Sequence, residues 1–335
     1  MSLMVIKFAL FGAGRIGALH AGTLAAMPDA ELKYVSDPVT EAAQKTAVAA
    51  GAEVVEIDRA LEDSEVRAVL IASSTDTHAD LIERSARAGK AIFCEKPIHL
   101  DAERVRECLV VVEETGAPLA IGFNRRFDPH FKEFKARLGA GTIGEVEFVG
   151  ITSRDPGPPP IEYIRVSGGI FRDMMIHDFD MARWLLGEEP VEVTAQGSCL
   201  VEPGIGAAGD LDSAVVSLRT ASGRLCQIHN SRRAVYGYDQ RLEAHGSEGM
   251  LQAGNPPDST VSQTDAAGTR GDAIGYFFIE RYAAAYRVEL DAFVEGVRRG
   301  SLADSPSGDD GLRALLLADA ALESATTGRR VTPRE

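Results

Sequence analysis

Between Gly169 and Leu185 the chain reads GIFRDMMIHDFDMARWL, setting Asp173, His177, Asp178 and Asp180 within eight residues. At about 100° per residue, an unbroken helix puts Asp173, His177 and Asp180 on one stripe, which Trp184 continues. Met174, Met175, Phe179, Ala182, Leu185 and Leu186 take the opposite, core-facing side. Asp178 falls among those apolar residues, so it needs a buried partner and reads as structural; Arg172 and Arg183 flank it. Asp173 and His177 stand one turn apart. A carboxylate there orients an imidazole and fixes its tautomer, which suits a general base. A surface ion pair is the competing reading. The HxxD step carries no zinc signature, and no metal is expected.

A second candidate lies in AIFCEKPIH, where Lys96 follows Glu95 at the end of an apolar strand. Ligands of open α/β sheets bind at that edge, and a cis Lys96–Pro97 bond would aim the ammonium into the crevice. Asp, His and Lys together suit alcohol oxidation. His177 would take the hydroxyl proton as hydride leaves for a nicotinamide, and Lys96 would stabilise the developing alkoxide.

The nicotinamide is implied by FALFGAGRIGALH. Gly12-Ala13-Gly14-Arg15-Ile16-Gly17 follows an apolar strand and opens a helix, the context in which a glycine-rich turn holds a pyrophosphate. Asp37 ends the next strand. A carboxylate there accepts hydrogen bonds from the adenosine ribose and repels a 2′-phosphate; Pro38-Val39-Thr40 follow it, with no Arg or Lys, which favours NAD over NADP. A glycine turn that binds no dinucleotide is the competing reading. His78, in SSTDTH, is placed to line the same crevice.

The elements that must position these residues follow the hydrophobic pattern. Candidate strands 6–11, 32–36, 68–72, 91–94 and 119–122 alternate with candidate helices 16–26, 41–50, 76–87 and 102–114, which predicts a parallel sheet covered on both faces. Past Phe123 come a helix over 130–138, a strand over 145–152, the Pro/Gly-rich 155–160 and the helix that carries Asp173 and His177. Strands over 191–200, 213–219, 225–230 and 241–245 then succeed one another without helices between them. Residues 254–273 read as a surface loop, and helices over 279–299 and 309–326 close the chain. The expected fold is α/β: a Rossmann domain over 1–122, then an α+β domain with a large, mainly antiparallel sheet over 123–335.

The chain has 335 residues, 45% hydrophobic, and a formal net charge of −15. The acidity argues against nucleic acid or an anionic membrane as partner. Cys94, Cys108, Cys199 and Cys226 form no CxxC pair and read as reduced thiols of a cytoplasmic protein. No apolar run reaches a bilayer-spanning length, and the start reads as a strand rather than a leader; a remnant of cloning is one reading of Met1-Ser2-Leu3, and the sequence leaves it open.

GAGRIG, Asp37, EKP at 95–97 and GGIFRDMMIHDFD at 168–180 together resemble the Gfo/Idh/MocA oxidoreductases. GFNRRFDPHF at 122–131 and YGYD at 236–239 bring the likeness nearer to the inositol dehydrogenase branch. The resemblance implies NAD-linked oxidation of a cyclitol secondary hydroxyl, myo-inositol to 2-keto-myo-inositol, by a homo-oligomer, commonly a tetramer. Position by position, Lys96, Asp173 and His177 match the catalytic triad. Thr75, His78, Glu95 and Arg125 match residues lining the nicotinamide half of the cofactor site, and Asp180 and Tyr236 match substrate contacts. Ser153-Arg154-Asp155 stands where some members have His-Arg-Asn, so Ser153 and Asp155 are expected on the polyol with a different hydrogen-bond pattern. A dehydrogenase for another inositol isomer or an aldose is the near alternative; an NAD-sensing regulator without catalysis is the remote one.

Overall fold

The computed structural model describes residues 5–334, so Met1-Ser2-Leu3 lies outside the described residues. The chain divides into two compact units.

The first unit is built on β1 (Ile6–Phe11), α1 (Arg15–Ala25), β2 (Ala30–Ser36), α2 (Thr40–Ala50), β3 (Glu53–Val54), α3 (Ile57–Glu62), β4 (Val66–Ile71), α4 (Thr75–Arg87), β5 (Ala91–Glu95), α5 (Ala102–Thr115) and β6 (Leu119–Gly122). Its strands form one parallel sheet in the order β3-β2-β1-β4-β5-β6. Strand order reverses between β1 and β4, which opens the crevice used by doubly wound folds. Phe8, Leu10, Val69, Leu70 and Phe93 are buried, as strands covered on both faces must be. β3 and α3 escape the sequence pattern because two and six residues are too short to show a period.

The boundary expected at 122/123 is incomplete. The first unit runs through Asn124 and regains residues 286–313, most of α12 (Ala283–Arg299) and the start of α13 (Gly308–Thr327). The physical reason is the apolar face of α12. Phe293 packs against Phe8 at 6.0 Å and Phe93 at 5.6 Å between ring centroids, with Leu290 and Val294 in the same core. An amphipathic pattern says that a helix has a core face, not which core takes it.

The second unit holds α6 (Pro129–Gly139), β7 (Val146–Arg154), α7 (Ile161–Ile164), α8 (Gly169–Asp173), α9 (Ile176–Leu186), β8 (Pro190–Ser198), α10 (Pro203–Ala207), β9 (Ser213–Thr220), β10 (Leu225–Ser231), β11 (Asp239–Gly246), β12 (Gly249–Ala253), β13 (Ser262–Asp265), β14 (Gly268–Gly271), α11 (Phe278–Arg281) and the rest of α13. Its six-stranded sheet runs β12-β11-β7-β10-β9-β8 and is antiparallel except for the β7/β10 pair. Val149, Ile151 and Ser153 of β7 are buried on the face that carries α9, while Phe148, Gly150 and Thr152 alternate to the other face. The stretch expected as loop, 254–273, contains the hairpin β13–β14. No helix among the described residues is long and apolar enough to cross a membrane.

The helix expected to carry Asp173, His177 and Asp180 is not continuous. Met175 N donates to Ile170 O across five residues at 2.9 Å, and Met174-Met175 separate α8 from α9. Such a π-type turn adds one residue to the helical cycle and rotates the segment before it by about 100° relative to the segment after it. The single stripe of an unbroken helix therefore does not hold.

Candidate active site

On the first unit, each glycine of the turn has its own reason. Gly12 has φ +98°, and a Cβ there would sit 2.4 Å from Ser73 N. A Cβ on Gly17 would sit 1.9 Å from Gly12 O, so this glycine lets α1 close on the turn. Gly14 is exposed, with open space where its Cβ would point. It is also the N-cap of α1 without a side-chain cap, so the first-turn amides, beginning with Arg15 and Ile16, are not capped by it. Open space at the start of this helix fits a pyrophosphate. Asp37, just past β2, accepts from Ala13 N at 2.6 Å and Val39 N at 2.7 Å, which fixes the carboxylate beside the turn. These residues fit NAD.

Lys96 follows β5, and the Lys96–Pro97 peptide is cis. Thr75 is half-buried at the start of α4. His78 is buried, with Nδ1 2.8 Å from Pro97 O and Nε2 3.1 Å from Ser73 O. Two carbonyl acceptors would suit an imidazolium, but burial pushes the ring below its usual pKa. A neutral ring has one N–H, and the Pro97 contact is the better bond. Through that bond His78 ties α4 to the Lys96–Pro97 turn. Glu95 keeps a partner that the sequence pattern does not reveal: its Oε1 lies 2.7 Å from Nε2 of the buried His20.

On the second unit, His177 and Asp173 are both half-buried at the α8/α9 break. Asp173 Oδ1 accepts from the Tyr163 hydroxyl at 2.8 Å, and Oδ2 lies 3.3 Å from Arg232 Nη2. Arg232 is 1% exposed, and Asp210 is its second acidic neighbour at 3.7 Å. Asp210 in turn accepts from Ile170 N at 2.9 Å and so holds the start of α8. In the sequence Arg232 is only half of a short basic pair; no periodicity marks a buried arginine between two acids.

Asp155 lies just beyond β7. It is partly covered, but desolvation by the surrounding protein dominates and pushes its carboxyl up to about 6. Arg232 and Arg125 oppose that shift, and the charges of Asp173 and Asp178 add to it.

The other expected contact residues are committed elsewhere. Asp178 is buried and structural as expected, but its partners are Arg125 and Asn230 Nδ2, at 2.9 Å for the amide. Arg172 pairs with Asp319 and Arg183 with Glu189 instead. Arg125 directs its guanidinium within the second unit to Asp178 and to Ser153 Oγ, at 3.1 Å for the hydroxyl. Ser153 is fully buried and donates to Gln240 Oε1 at 3.0 Å, so its hydroxyl is not left for a polyol. Asp180 is fully buried and held by Arg126, again not open to substrate. Tyr236 is exposed, but its hydroxyl donates to Asp239 Oδ2 and accepts from Arg154 Nη1, both at 2.7 Å. Of the expected substrate contacts, Asp155 is the one whose carboxylate has no hydrogen-bond partner among the described residues.

A cavity of about 600 Å³ lies against the other face of the sheet, lined by Phe148, Thr152, Gln227, His229 and Arg241 among others. Alternation along β7 and β10 puts it across the sheet from Ser153 and Asn230.

Residues 6–123 match the oxidoreductase family with the NAD-binding Rossmann fold, and residues 131–252 match the GFO/IDH/MocA C-terminal domain. The chain is 54% identical over 329 residues to an inositol 2-dehydrogenase of Rhizobium meliloti, covering 98% of this chain and 99% of that one. It superposes on a myo-inositol dehydrogenase of Corynebacterium glutamicum with TM-score 0.94 and 48% identity, over 99% of this chain and 100% of that one. A scyllo-inositol dehydrogenase of Lactobacillus casei, solved with NAD(H) and scyllo-inositol, gives TM-score 0.91 at 28% identity, over 98% of this chain and 99% of that one.

Proposed function

The chain belongs to the GFO/IDH/MocA family of oxidoreductases, and on that premise we propose that it oxidises the secondary hydroxyl of a cyclitol with NAD, most directly myo-inositol to 2-keto-myo-inositol. The observation that carries the reading is the full-length likeness to inositol dehydrogenases, joined to a glycine turn whose open position at Gly14 suits a dinucleotide.

When bound at the glycine turn, NAD supplies the hydride acceptor. The remaining chemistry falls to side chains. His177 takes the hydroxyl proton at a ring nitrogen as general base. Asp173, held by Tyr163 and Arg232, is a fixed carboxylate that orients the acid–base group and accepts from a neighbouring hydroxyl. Lys96 stabilises the developing alkoxide with its ammonium. Asp155 accepts from another hydroxyl of the ring, which puts a titratable group on the substrate.

One feature supports a homo-oligomer, a tetramer by family resemblance. Val215, Leu225 and Met250 are 39%, 47% and 48% exposed on the outer face of the sheet, where a second copy would cover them. A cytoplasmic location accords with four free thiols, three of them buried.

The test is absorbance at 340 nm with NAD or NADP and a panel of inositol isomers and aldoses. Turnover of myo-inositol with NAD supports the reading. Silence with every inositol isomer removes it, and a strong preference for an aldose moves the substrate class.

A further inference from the structure

Gly168 and Gly169 open the stretch GGIFRD, and the hydride transfer uses neither. Their φ angles are +87° and +82°, a backbone that residues with a side chain rarely adopt. A Cβ on Gly169 would sit 2.7 Å from Asp210 Oδ1, the same oxygen that accepts from Ile170 N at 2.9 Å. The glycine thus lets a carboxylate from outside the helix grip the start of α8, and α8 ends at Asp173.

Asp210 and Arg232 come from one end of the sheet. β9 and β10 pair as far as Ser213 and Ser231, and Arg232 N donates to Asp212 O at 2.8 Å just beyond them. This sets the Arg232 side chain, 1% exposed, 3.3 Å from Asp173 Oδ2 and 3.7 Å from Asp210 Oδ2. Arg232 Nε and Asp210 Oδ2 are buried without hydrogen-bond partners among the described residues. Ion pairs that only fasten this unit close more tightly: Arg126 grips Asp180 at 2.8 and 2.5 Å, and Arg183 grips Glu189 at 2.7 Å through two nitrogens. A buried guanidinium left partly unpaired is costly, which calls for a use other than fastening. At 3.3 Å it opposes the charge of Asp173 and leaves the carboxylate lone pairs for a hydroxyl. The Tyr163 hydroxyl holds the other oxygen, Oδ1, at 2.8 Å.

We propose that Asp210 and Arg232 are positioning residues for Asp173: Asp210 anchors the start of α8 through Ile170 N, Arg232 holds the carboxylate at its end, and Gly169 gives Asp210 its room. The role rests on Asp173 belonging to the catalytic set proposed above, and a direct contact makes each link. It gives a use to the paired glycines and to a buried arginine that the hydride transfer does not employ.

The test uses the full-length chain with NAD and myo-inositol. Arg232→Met should lower kcat/KM about 10–100-fold, the usual cost of misplacing a group in the site by about an ångström, with NAD affinity unchanged in fluorescence titration. Asp210→Ala, which frees Ile170 N, should do the same, whereas Asp210→Asn, which keeps the acceptor, should stay within about threefold of the wild type. A loss caused by a weakened fold would persist without Asp173; a loss carried by Asp173 would not. In the Asp173→Asn background, adding Arg232→Met or Asp210→Ala should therefore cost less than about twofold more. Full additivity in that cycle overturns the positioning role. A crystal structure of the wild type with NAD bound decides the matter even where variants fail to fold: Arg232 turned away from Asp173, or Ile170 N released by Asp210, overturns the proposal. In crystals of Asp210→Ala the Asp173 carboxylate should be displaced, and an unmoved carboxylate counts against the anchor whether or not a polyol is turned over. Wild-type protein inactive on every polyol, with the carboxylate displaced in Asp210→Ala, would overturn the activity reading alone.

Discussion

Arg126 grips Asp180 through two nitrogens, Nε 2.8 Å from Oδ2 and Nη2 2.5 Å from Oδ1. Its neighbour Arg125 pairs with Asp178 from the same short turn, Asn124–Phe127. Consecutive arginines thus take two acids of α9, and both acids are fully buried. Removing one partner of such a pair strands a charge in low dielectric, which typically costs about 3–5 kcal/mol.

Arg126→Ala should therefore lower the unfolding midpoint sharply in calorimetry. Asp180→Asn, which leaves the arginine partly exposed, should cost less. In the Asp180→Asn protein that remains folded, KM for the polyol should stay within about twofold of the wild type, since uniform binding is untouched. A stable Asp180→Asn protein with a greatly raised KM would return Asp180 to the substrate wall.

The aspartates of α9 also show how far the sequence could be read. The glycine turn, Asp37 and the strand end before Lys96 were legible, because strand-turn-helix geometry is local and each residue type has one physical use there. The need of Asp178 for a buried partner was legible from its place on the apolar face. The identity of that partner was not, since Arg125 is 53 residues away and only the folded chain brings it near. The pairing of Asp180 with Arg126 was not legible either, since Arg126 is 54 residues away. Arg232 left no trace at all. A buried charge between other charges has no periodicity to betray it.

The glycine turn separates folding from binding. A Cβ on Gly17 collides with Gly12 O at 1.9 Å, whereas a Cβ on Gly14 meets nothing. Gly17→Ala should fail to fold or lose several degrees in its midpoint. Gly14→Ala should keep its midpoint and yet weaken NAD at least about tenfold by fluorescence titration, because the methyl would occupy the space that suits the pyrophosphate. Unchanged NAD affinity in Gly14→Ala would mean that the dinucleotide lies elsewhere.

Asp37 accepts from Ala13 N and Val39 N and keeps lone pairs for a ribose. Asp37→Ala should raise KM for NAD and narrow the gap between NAD and NADP by removing the charge that repels a 2′-phosphate. Initial rates with the two cofactors check this, and an unaltered ratio would put the discrimination on another residue.

The raised pKa of Asp155 makes pH a probe of its proposed contact with substrate. Its folded pKa of about 6 stands above the ordinary 3.8, so between those values the folded protein binds more protons than the unfolded chain. Stability falls as pH rises through that window, and the full penalty applies above it. Asp155→Asn should remove the penalty, raising stability by about 1–2 kcal/mol at pH 7, less than the full shift because the side chain is partly exposed. At pH 4 the gain should vanish. If the carboxylate accepts from a polyol hydroxyl, KM in the wild type should also rise as pH drops below about 6. Asp155→Asn should flatten that rise, and a rise persisting in the variant would assign it to another group.

The proposed division of labour, His177 on the proton and Lys96 on the alkoxide, is open to kinetics. His177→Ala should lower kcat by about 10²–10⁴-fold, the usual contribution of a general base, with KM for NAD little changed. Lys96→Met should lower kcat as well, by removing charge stabilisation rather than the proton acceptor. The two losses differ in their pH dependence. Without His177, hydroxide does the work of the base, so residual turnover should climb with pH. Without Lys96, the limb set by His177 should remain. A His177→Ala enzyme of near-normal turnover, with the pH limb retained, would make Lys96 the base and leave Asp173 and His177 to hold the substrate.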